Sequence, residues 1–287
     1  MAPAFLHRLL SSLVSLLPIR LRAKMWKRLH KLGTRRWERQ SFAQRCPGGI
    51  YIKTSKLLRL SEGQALQFIR THTPLPVPVV IDNIEHAGSV WLVTSLLPGF
   101  SLAEVYRDIT PEIERKLSSQ LSRILAPLRA LPPPDPVCGF DGGPVYCARI
   151  RFGAPPAGPW DTVEAFHGDL MHRAGEINVP GEPYCAKTTE EVYDVIRRAH
   201  ARTHRVCLTH NDLGPHNILV DDHWNITGIV DWESCAWMPE YWEVTKGTFL
   251  PQYRKNRWPR IMSAAFPMYT LEQEAEMYMI EYRQCYV

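Results

Sequence analysis

The sequence predicts an α+β fold of two lobes: a small lobe with an antiparallel sheet and one helix, and a larger, mainly helical lobe. Residues 49–95 contain short strands rich in aromatic and β-branched residues, two of them arranged as a hairpin. A connector follows at Pro98-Gly99, and beyond it apolar residues recur at helical spacing. Strands first and helices second therefore predict two lobes with a cleft between them.

Length and composition are those of an ordinary globular protein. The 287 residues are 45% hydrophobic and 22% charged, which suffices for two lobes or for one large domain. The seven cysteines are scattered and include no CxxC pair, so a disulfide framework and a zinc ribbon are both disfavoured. The cysteine pattern therefore favours a reducing compartment, and we expect a cytoplasmic protein. We also expect a monomer. No stretch approaches the ~18 consecutive apolar residues of a membrane span.

Residues 1–45 are predicted to be a basic, helical N-terminal extension. Glu38 is the first acidic residue, and the basic residues that precede it are Arg8, Arg20, Arg22, Lys24, Lys27, Arg28, Lys31, Arg35 and Arg36. This asymmetry suggests an anionic partner, for which a membrane surface remains open, while no nucleic acid is expected. For the apolar segment FLHRLLSSLVSLLP we favour a helix packed on the main domain, with a membrane-surface anchor or a mitochondrial presequence as alternatives. Arg8 interrupts the segment and disfavours a secretory signal.

The small lobe is expected at residues 46–97. The segment GIYIK, residues 49–53, predicts a strand, and SEGQALQFIR predicts a helix with Ser61 as its cap. The prolines of TPLPVPVVI end that helix, because each removes a backbone donor and restricts the preceding residue. Residues 79–97 then hold two apolar runs around a polar turn at residues 86–89, which is the pattern of a hairpin.

The large lobe is expected at residues 98–287. Thr110-Pro111 predicts a helix start, and the apolar stripe behind it predicts a long helix in which Pro127 marks a kink or an early end. Residues 131–160 are rich in proline and glycine and are predicted to be mostly loop.

Further along this lobe, local signals predict one more helix and a hairpin. Thr188 and Glu191 have the spacing of a capping box at the start of an apolar-periodic helix. Two short strands, NILVD and ITGIVD, follow with the turn DHWN between them.

The chemistry is expected in the stretch THNDLGPHNILVDDHWNITGIVDWE. His210, Asp212 and Asn217 fit the pattern H-x-D-x-x-x-x-N, and a second aspartate, Asp231, follows an apolar strand. Zinc is disfavoured because the spacing fits none of the usual zinc patterns. Phosphoryl transfer needs one carboxylate at the attacking hydroxyl, and an amide oxygen and another carboxylate on Mg²⁺. Plain polar turns are the alternative; the second aspartate at hairpin distance favours phosphoryl transfer.

These motifs resemble the aminoglycoside phosphotransferase-like branch of the protein-kinase-like superfamily, in particular a group of fungal proteins of mostly unassigned substrate. The resemblance rests on THNDLGPHNILVD, ITGIVDWE and PEYWE, and extends upstream through IYIK, LPVP, LPG and the segment at residues 158–166. It covers about residues 17–248. It implies a protein-kinase-like fold, the cofactors ATP and Mg²⁺, and a hydroxyl of a small molecule as the phosphoryl acceptor.

The resemblance also implies roles for the catalytic stretch. Asp212 would be the base that accepts or orients the proton of the substrate hydroxyl. His210 would hold the backbone of the catalytic loop without acting as the base. Asn217 and Asp231 would bind Mg²⁺.

In the small lobe, the resemblance implies a nucleotide site. Lys53 would contact the α- and β-phosphates, and Glu62 would pair with Lys53. Backbone groups of Ser95, Leu96 and Leu97 would form hydrogen bonds with the base of the nucleotide.

The sequence departs from the kinase pattern at the phosphate loop. Instead of G-x-G-x-x-G it has CPGG, in which Gly48 and Gly49 let the backbone approach a phosphate. This short loop supports an alternative function, a catalytically weak nucleotide-binding pseudokinase or scaffold protein. A protein Ser/Thr kinase is disfavoured because no Ala-Pro-Glu segment follows Asp231. The basic segment YRKNRWPR, residues 253–260, argues against a polycationic acceptor.

Overall fold

The computed structural model of the chain describes residues 2–38, 43–151, 156–182, 185–248 and 257–283. The chain divides into two compact units: unit 1 holds Met1–Glu104 and His216–Glu233, and unit 2 holds Val105–Pro215 and Ser234–Val287. The predicted ranges 1–45, 46–97 and 98–287 divide the chain differently. Four residues of the predicted basic segment, 253–256, lie outside the described residues.

The described residues form ten strands and ten helices longer than a 3-10 turn. The strands are β1 Ala43–Cys46, β2 Ile50–Ser55, β3 Val80–His86, β4 Ser89–Ser95, β5 Phe100–Ser101, β6 Cys138–Gly139, β7 Val206–Thr209, β8 Ile218–Val220, β9 Ile226–Ile229 and β10 Ala236–Pro239. The helices are α1 Ala2–Ser15, α2 Ile19–Arg36, α3 Ser61–His72, α4 Pro111–Arg129, α5 Ala148–Arg151, α6 Val163–Ala174, α7 Thr189–His200, α8 Trp242–Gly247, α9 Arg257–Ala265 and α10 Thr270–Glu281.

Unit 1 contains an antiparallel sheet in the order β1-β2-β4-β3 and a three-stranded sheet in the order β5-β8-β9. The predicted hairpin is confirmed as β3 and β4, and its turn is formed by Ala87 and Gly88, both at positive φ. The segment GIYIK forms β2, as predicted, and β2 pairs with β4 in the middle of the sheet. Unit 1 thus carries the strand from which Lys53 projects.

Helix α3 lies directly against β3. A Cβ atom on Gly63 would come within 2.3 Å of the Asn83 side chain, so a larger residue would displace Asn83 from its bond to the Leu60 carbonyl. The prediction that Ser61 caps the helix is wrong: Leu60 already has helical φ and ψ of −64° and −22°, and no side chain caps this end. Ser61 is therefore the first helical residue, and the helix places Glu62 in its first turn.

The N-terminal helices α1 and α2 pack on the larger sheet of unit 1. Val14, Ala23 and Trp26 are buried in one cluster with side chains of β2, β3 and β4. Trp26 Nε1 donates to Asp82 Oδ2 at 2.6 Å, and the Arg22 guanidinium pairs with the same carboxylate. The two helices therefore contribute to the core of this unit.

Unit 2 is mainly helical and contains one small antiparallel sheet in the order β6-β10-β7. Thr110 caps α4, as predicted, by accepting from the Ile113 N–H. The helix continues through Pro127 and ends two residues later at Arg129. The predicted capping box of Thr188 and Glu191 is confirmed at the start of α7.

Two stacked histidines of unit 2, the buried His167 and the half-buried His200, predict a pH effect on stability. His167 and His200 are stacked with ring centroids 4.1 Å apart. Burial, together with the neighbouring imidazoles, lowers the pKa of His167 to about 4 and that of His200 to about 3. Unfolding at acid pH must therefore take up protons, so the stability that these rings contribute above pH 6.5 is lost as pH falls through about 4 and 3.

We expect His200→Phe to reduce this acid sensitivity. Removing one proton acceptor should change the pH slope of the free energy of unfolding by about 1.4 kcal/mol per pH unit below pH 6. Urea unfolding at pH 4.5, 5.5 and 7 measures this slope. Because buried carboxyls that titrate in the same range are present in both proteins, the difference from wild type reports the contribution of the histidine pair. The exposed His172 provides the control His172→Phe. Equal slopes in both variants would contradict the assignment.

Candidate active site

Lys53 occupies the centre of a charged cluster in unit 1. Its Nζ atom lies 2.8 Å from Glu62 Oε1 and 2.6 Å from Asp231 Oδ1. Lys53 projects from β2, Glu62 from the first turn of α3, and Asp231 from the end of the β9 strand. The structure thus brings together three predicted site residues, of which Asp231 lies 178 positions from Lys53 in the sequence.

Burial and charge act in opposite directions on this cluster. Burial raises the pKa of Glu62 to about 7, against the opposing effect of the Lys53 ammonium. Burial acts to lower the pKa of Lys53, but the carboxylates of Glu62 and Asp231 outweigh it and raise the pKa. Lys53 is therefore held as a cation on a side chain that is 16% exposed. Such a fixed cation suits a phosphate ligand.

The predicted metal ligands Asn217 and Asp231 lie at the same end of the β8–β9 hairpin. Asn217 immediately precedes β8, and the backbone N–H of Val230 donates to the Asn217 carbonyl at 3.0 Å. Asp231 adopts a φ of +66°, a conformation that aspartate and asparagine tolerate better than most residues. Oxygens of Glu62, Asp231 and Glu233 also lie within 4.8 Å of one another. These hard oxygen donors fit Mg²⁺.

Gly48 and Gly49 form the turn between β1 and β2, with φ of +79° and +67°. Only glycine adopts these values at low cost, so the turn requires both residues. The ring of His7 from α1 contacts this turn, with Nε2 3.2 Å from the Gly48 carbonyl. The predicted phosphate loop is therefore a two-glycine turn that α1 touches.

The backbone of residues 95–97 is partly engaged within unit 1. The N–H of Ser95 donates to the Val79 carbonyl at 2.9 Å, and that of Leu96 donates to the Gly49 carbonyl at 2.7 Å. The Leu97 side chain lies over Gly228, where an added Cβ would come within 2.5 Å of Leu97 Cδ1. The backbone N–H groups of Ser95 and Leu96, two of the three predicted residues, are thus already bonded within unit 1.

The start of the catalytic stretch, which lies in unit 2, is held by a buried carboxylate. Glu243 of α8 accepts the backbone N–H of His210 at 2.5 Å and that of Asn211 at 3.2 Å. Burial raises the pKa of Glu243 to about 7, while these two N–H groups oppose the rise. The Trp242 indole donates to Asn211 Oδ1 at 2.7 Å, which supports the positive φ of Asn211. The loop backbone is thus fixed from α8.

Two hydrogen bonds within unit 2 hold Asp212. Its backbone N–H donates to His210 Nδ1 at 3.2 Å, so the buried imidazole holds the aspartate from the backbone side. Its carboxylate accepts from Lys246 Nζ at 2.8 Å. The Asp212 side chain is 33% exposed and the Lys246 side chain only 2%. The Asp212 carboxylate is therefore accessible to a substrate, while the buried lysine fixes the orientation of the carboxylate.

Sequence reasoning missed Lys246, and it noted Glu243 only as the last residue of the motif PEYWE, without its role in holding the loop. Both lie in α8, three positions apart and therefore on one face of the helix. The signal that could have found them is the presence of two charged residues in the otherwise apolar and aromatic segment YWEVTKG. An apolar segment is expected to be buried, and charged side chains are rarely buried without partners. The two charges therefore indicate polar or charged partners elsewhere in the fold.

The model of the family described as "Phosphotransferase enzyme family" matches residues 36–266. The chain belongs to the phosphotransferase enzyme family. This confirms the predicted resemblance, and the match includes all of the predicted site residues, from Gly48 to Asp231.

One curated relative of this family member is a fungal protein. Clavilactone A biosynthesis cluster protein Y of Ampulloclitocybe clavipes is 27% identical over 231 residues, which cover 71% of this chain and 56% of the relative. The chain thus spans about half the length of the curated relative that it matches.

Solved phosphotransferase structures share the fold. A thermostable mutant of the aminoglycoside phosphotransferase APH(4)-Ia, in ternary complex with ADP and hygromycin B, is 14% identical and gives a TM-score of 0.56 over 85% of this chain and 82% of that chain. The gentamicin complex of APH(2")-IIa is 11% identical and gives 0.51 over 89% and 85%. These structures confirm the predicted α+β, protein-kinase-like fold.

Proposed function

We propose that this phosphotransferase uses ATP and Mg²⁺ and moves the γ-phosphoryl group to a hydroxyl of a small molecule. The observation that carries the proposal is the Lys53 ammonium bonded to both Glu62 and Asp231 in a member of this family. Lys53 would bind nucleotide phosphates, and Asn217 and Asp231 would hold Mg²⁺. When bound, Mg²⁺ would neutralise charge on the phosphates.

Asp212 is assigned the role of base toward the acceptor hydroxyl. Its half-buried carboxylate accepts from the buried Lys246, and the ammonium charge favours the ionised form that can accept a proton. His210 is assigned a positioning role, since its Nδ1 atom accepts from the Asp212 backbone. The relatives named above act in aminoglycoside phosphorylation or belong to a fungal biosynthesis cluster, so we propose a hydroxylated metabolite as the acceptor class.

A nucleotide-binding pseudokinase is the second candidate. The two-glycine turn at Gly48 and Gly49 is short for a phosphate-covering loop, which favours weak nucleotide binding. The two candidates differ in turnover, because a pseudokinase would bind the nucleotide without releasing ADP.

Thermal shift with ATP, with and without Mg²⁺, tests nucleotide binding, and ADP release in the presence of pooled hydroxyl-bearing metabolites tests turnover. The enzyme should be stabilised by ATP more strongly with Mg²⁺ present, and one pool should raise ADP release. Stabilisation that is independent of metal, with no pool active, would support the pseudokinase. No stabilisation by any nucleotide would contradict both candidates.

Lys246→Met should lower turnover by about 10–100-fold with little change in nucleotide binding. Without its cation the Asp212 carboxylate binds a proton more readily, so the acidic limb of the pH–rate profile should move to higher pH. Lys246→Arg should recover part of the activity by restoring the charge. The control is Lys187→Met, which breaks a half-exposed pair with Glu274 in the same unit. An unshifted pH profile in Lys246→Met would contradict the positioning role.

A further inference from the structure

The outward face of α1 is apolar. Four leucines at spacings of three, four and three residues lie on one side of the helix and its C-terminal turn, and their exposed fractions are 60% for Leu6, 49% for Leu9, 56% for Leu13 and 80% for Leu16. The opposite side, with His7 and Val14, is buried against unit 1. Such a stripe would normally face a core. Here it is exposed.

The outward face of α2 is cationic. Five exposed side chains at spacings of four, three, four and four residues follow one side of the helix: Arg20, Lys24, Lys27, Lys31 and Arg35. The opposite side, with Ala23 and Trp26, is buried in the core cluster of unit 1. Neither helix contains an acidic residue to balance these charges.

The exposed apolar residues of the chain concentrate on this helix pair. Among the described residues, eight of the thirteen exposed large hydrophobic side chains lie between Leu6 and Leu32. They include Leu17, Ile19 and Leu21 at the junction of the two helices, next to the first cations of α2. Single exposed leucines are ordinary, but so many exposed apolar side chains on two consecutive helices that also carry exposed cations indicate an interaction site.

We propose that the outward faces of α1 and α2 bind the surface of a bilayer that contains anionic phospholipids. The leucines would enter the boundary between headgroups and acyl chains, and the lysines and arginines would contact the headgroup phosphates. The contact would be peripheral. Among the described helices, none is long and apolar enough to cross a membrane. This inference does not depend on the proposed phosphotransferase activity.

Two other uses of these helices fit the structure less well. A cleavable presequence would remove Val14 and Trp26 from the core of unit 1, together with the bond from Trp26 to Asp82. A nucleic-acid surface would use the cations of α2 but would leave the leucine stripe of α1 without a partner, because such interfaces are polar. Lipid is the partner that uses both faces.

The test is co-sedimentation of the full chain with two kinds of vesicle, one of phosphatidylcholine alone and one with about 30% phosphatidylserine added. We expect at least tenfold tighter binding to the anionic vesicles, and weaker binding at high salt. Leu9→Ser with Leu13→Ser, and separately Lys24→Glu with Lys31→Glu, should each weaken that binding by at least tenfold. All four side chains are exposed, so the melting temperature should not change.

Matched controls carry the same changes elsewhere. Leu57→Ser with Met268→Ser replaces two other exposed apolar residues, and Lys116→Glu with Arg123→Glu replaces two exposed cations of α4. Both controls should bind vesicles like wild type. Equal binding to both vesicle types, or equal losses in control and test variants, would overturn the proposal. Tight binding to a DNA or RNA duplex would also overturn it, if Lys24→Glu with Lys31→Glu abolished that binding and Leu9→Ser with Leu13→Ser did not. So would a dimer that Leu9→Ser with Leu13→Ser dissociates while vesicle binding persists.

Discussion

Asp212→Asn should lower turnover by about 10²–10⁴-fold, the usual contribution of a general base, while ATP and Mg²⁺ still stabilise the protein. The substitution keeps the shape of the side chain and an oxygen that can accept from Lys246 Nζ, but it removes the negative charge and the ability to take a proton. The fold of unit 2 should persist, because the loop backbone is held by Glu243. ADP release and thermal shift with ATP and Mg²⁺ are measured on the same preparation.

Asp194→Asn is the control for this prediction. Asp194 lies on α7 of the same unit, is 53% exposed and pairs with Arg198 at 2.9 Å, so its loss should leave both measurements unchanged. Turnover of Asp212→Asn within a few-fold of wild type would require another base. Loss of the ATP-induced stabilisation as well would instead place Asp212 in nucleotide or metal binding.

Local signals predicted the elements that carry the site. The hairpin of β3 and β4, helix α3 and the hairpin of β8 and β9 depend on patterns within ten to twenty residues, such as alternation, prolines and a polar turn. The capping box at Thr188 needs only four residues. Ser61 is the instructive failure, because a serine before an apolar run is compatible with both the cap position and the first helical position.

Long-range partners could not be predicted in the same way. The bond from Trp26 to Asp82 and the bond from Lys246 to Asp212 join residues 56 and 34 positions apart. Nothing in either local pattern specifies the partner, since each depends on how helices pack on the rest of their unit. The N-terminal segment shows the consequence. Its helical period was evident and packing on the main domain was favoured, but which side chains are buried and which leucines and lysines stay exposed became visible only in the structure.

Asp231→Asn should abolish the dependence of nucleotide binding on Mg²⁺ and lower turnover by about 10³-fold. The carboxylate is the charged member of the proposed metal pair, and the charge stabilisation that a bound metal supplies is worth several kcal/mol. Asparagine tolerates the φ of +66° at this position, so the backbone of the hairpin end should not change. Lys53 keeps Glu62 as a partner at 2.8 Å, so the free protein should retain most of its stability.

The contrast with Asp212→Asn makes this prediction specific. Both variants should lose turnover, but only Asp231→Asn should lose the additional stabilisation that Mg²⁺ gives to the ATP complex. Asp222→Asn, an exposed aspartate in the turn of the same hairpin, should behave like wild type in both assays. If Asp231→Asn kept a metal-dependent shift in melting temperature, the cation would have to bind other oxygens. Glu233→Gln would then be the next variant, because a carboxylate oxygen of Glu233 lies within 4.8 Å of oxygens of Asp231 and Glu62. A metal site that survived both changes would remove Asp231 from the proposed mechanism and leave Lys53 as the cationic contribution of unit 1 to phosphate binding.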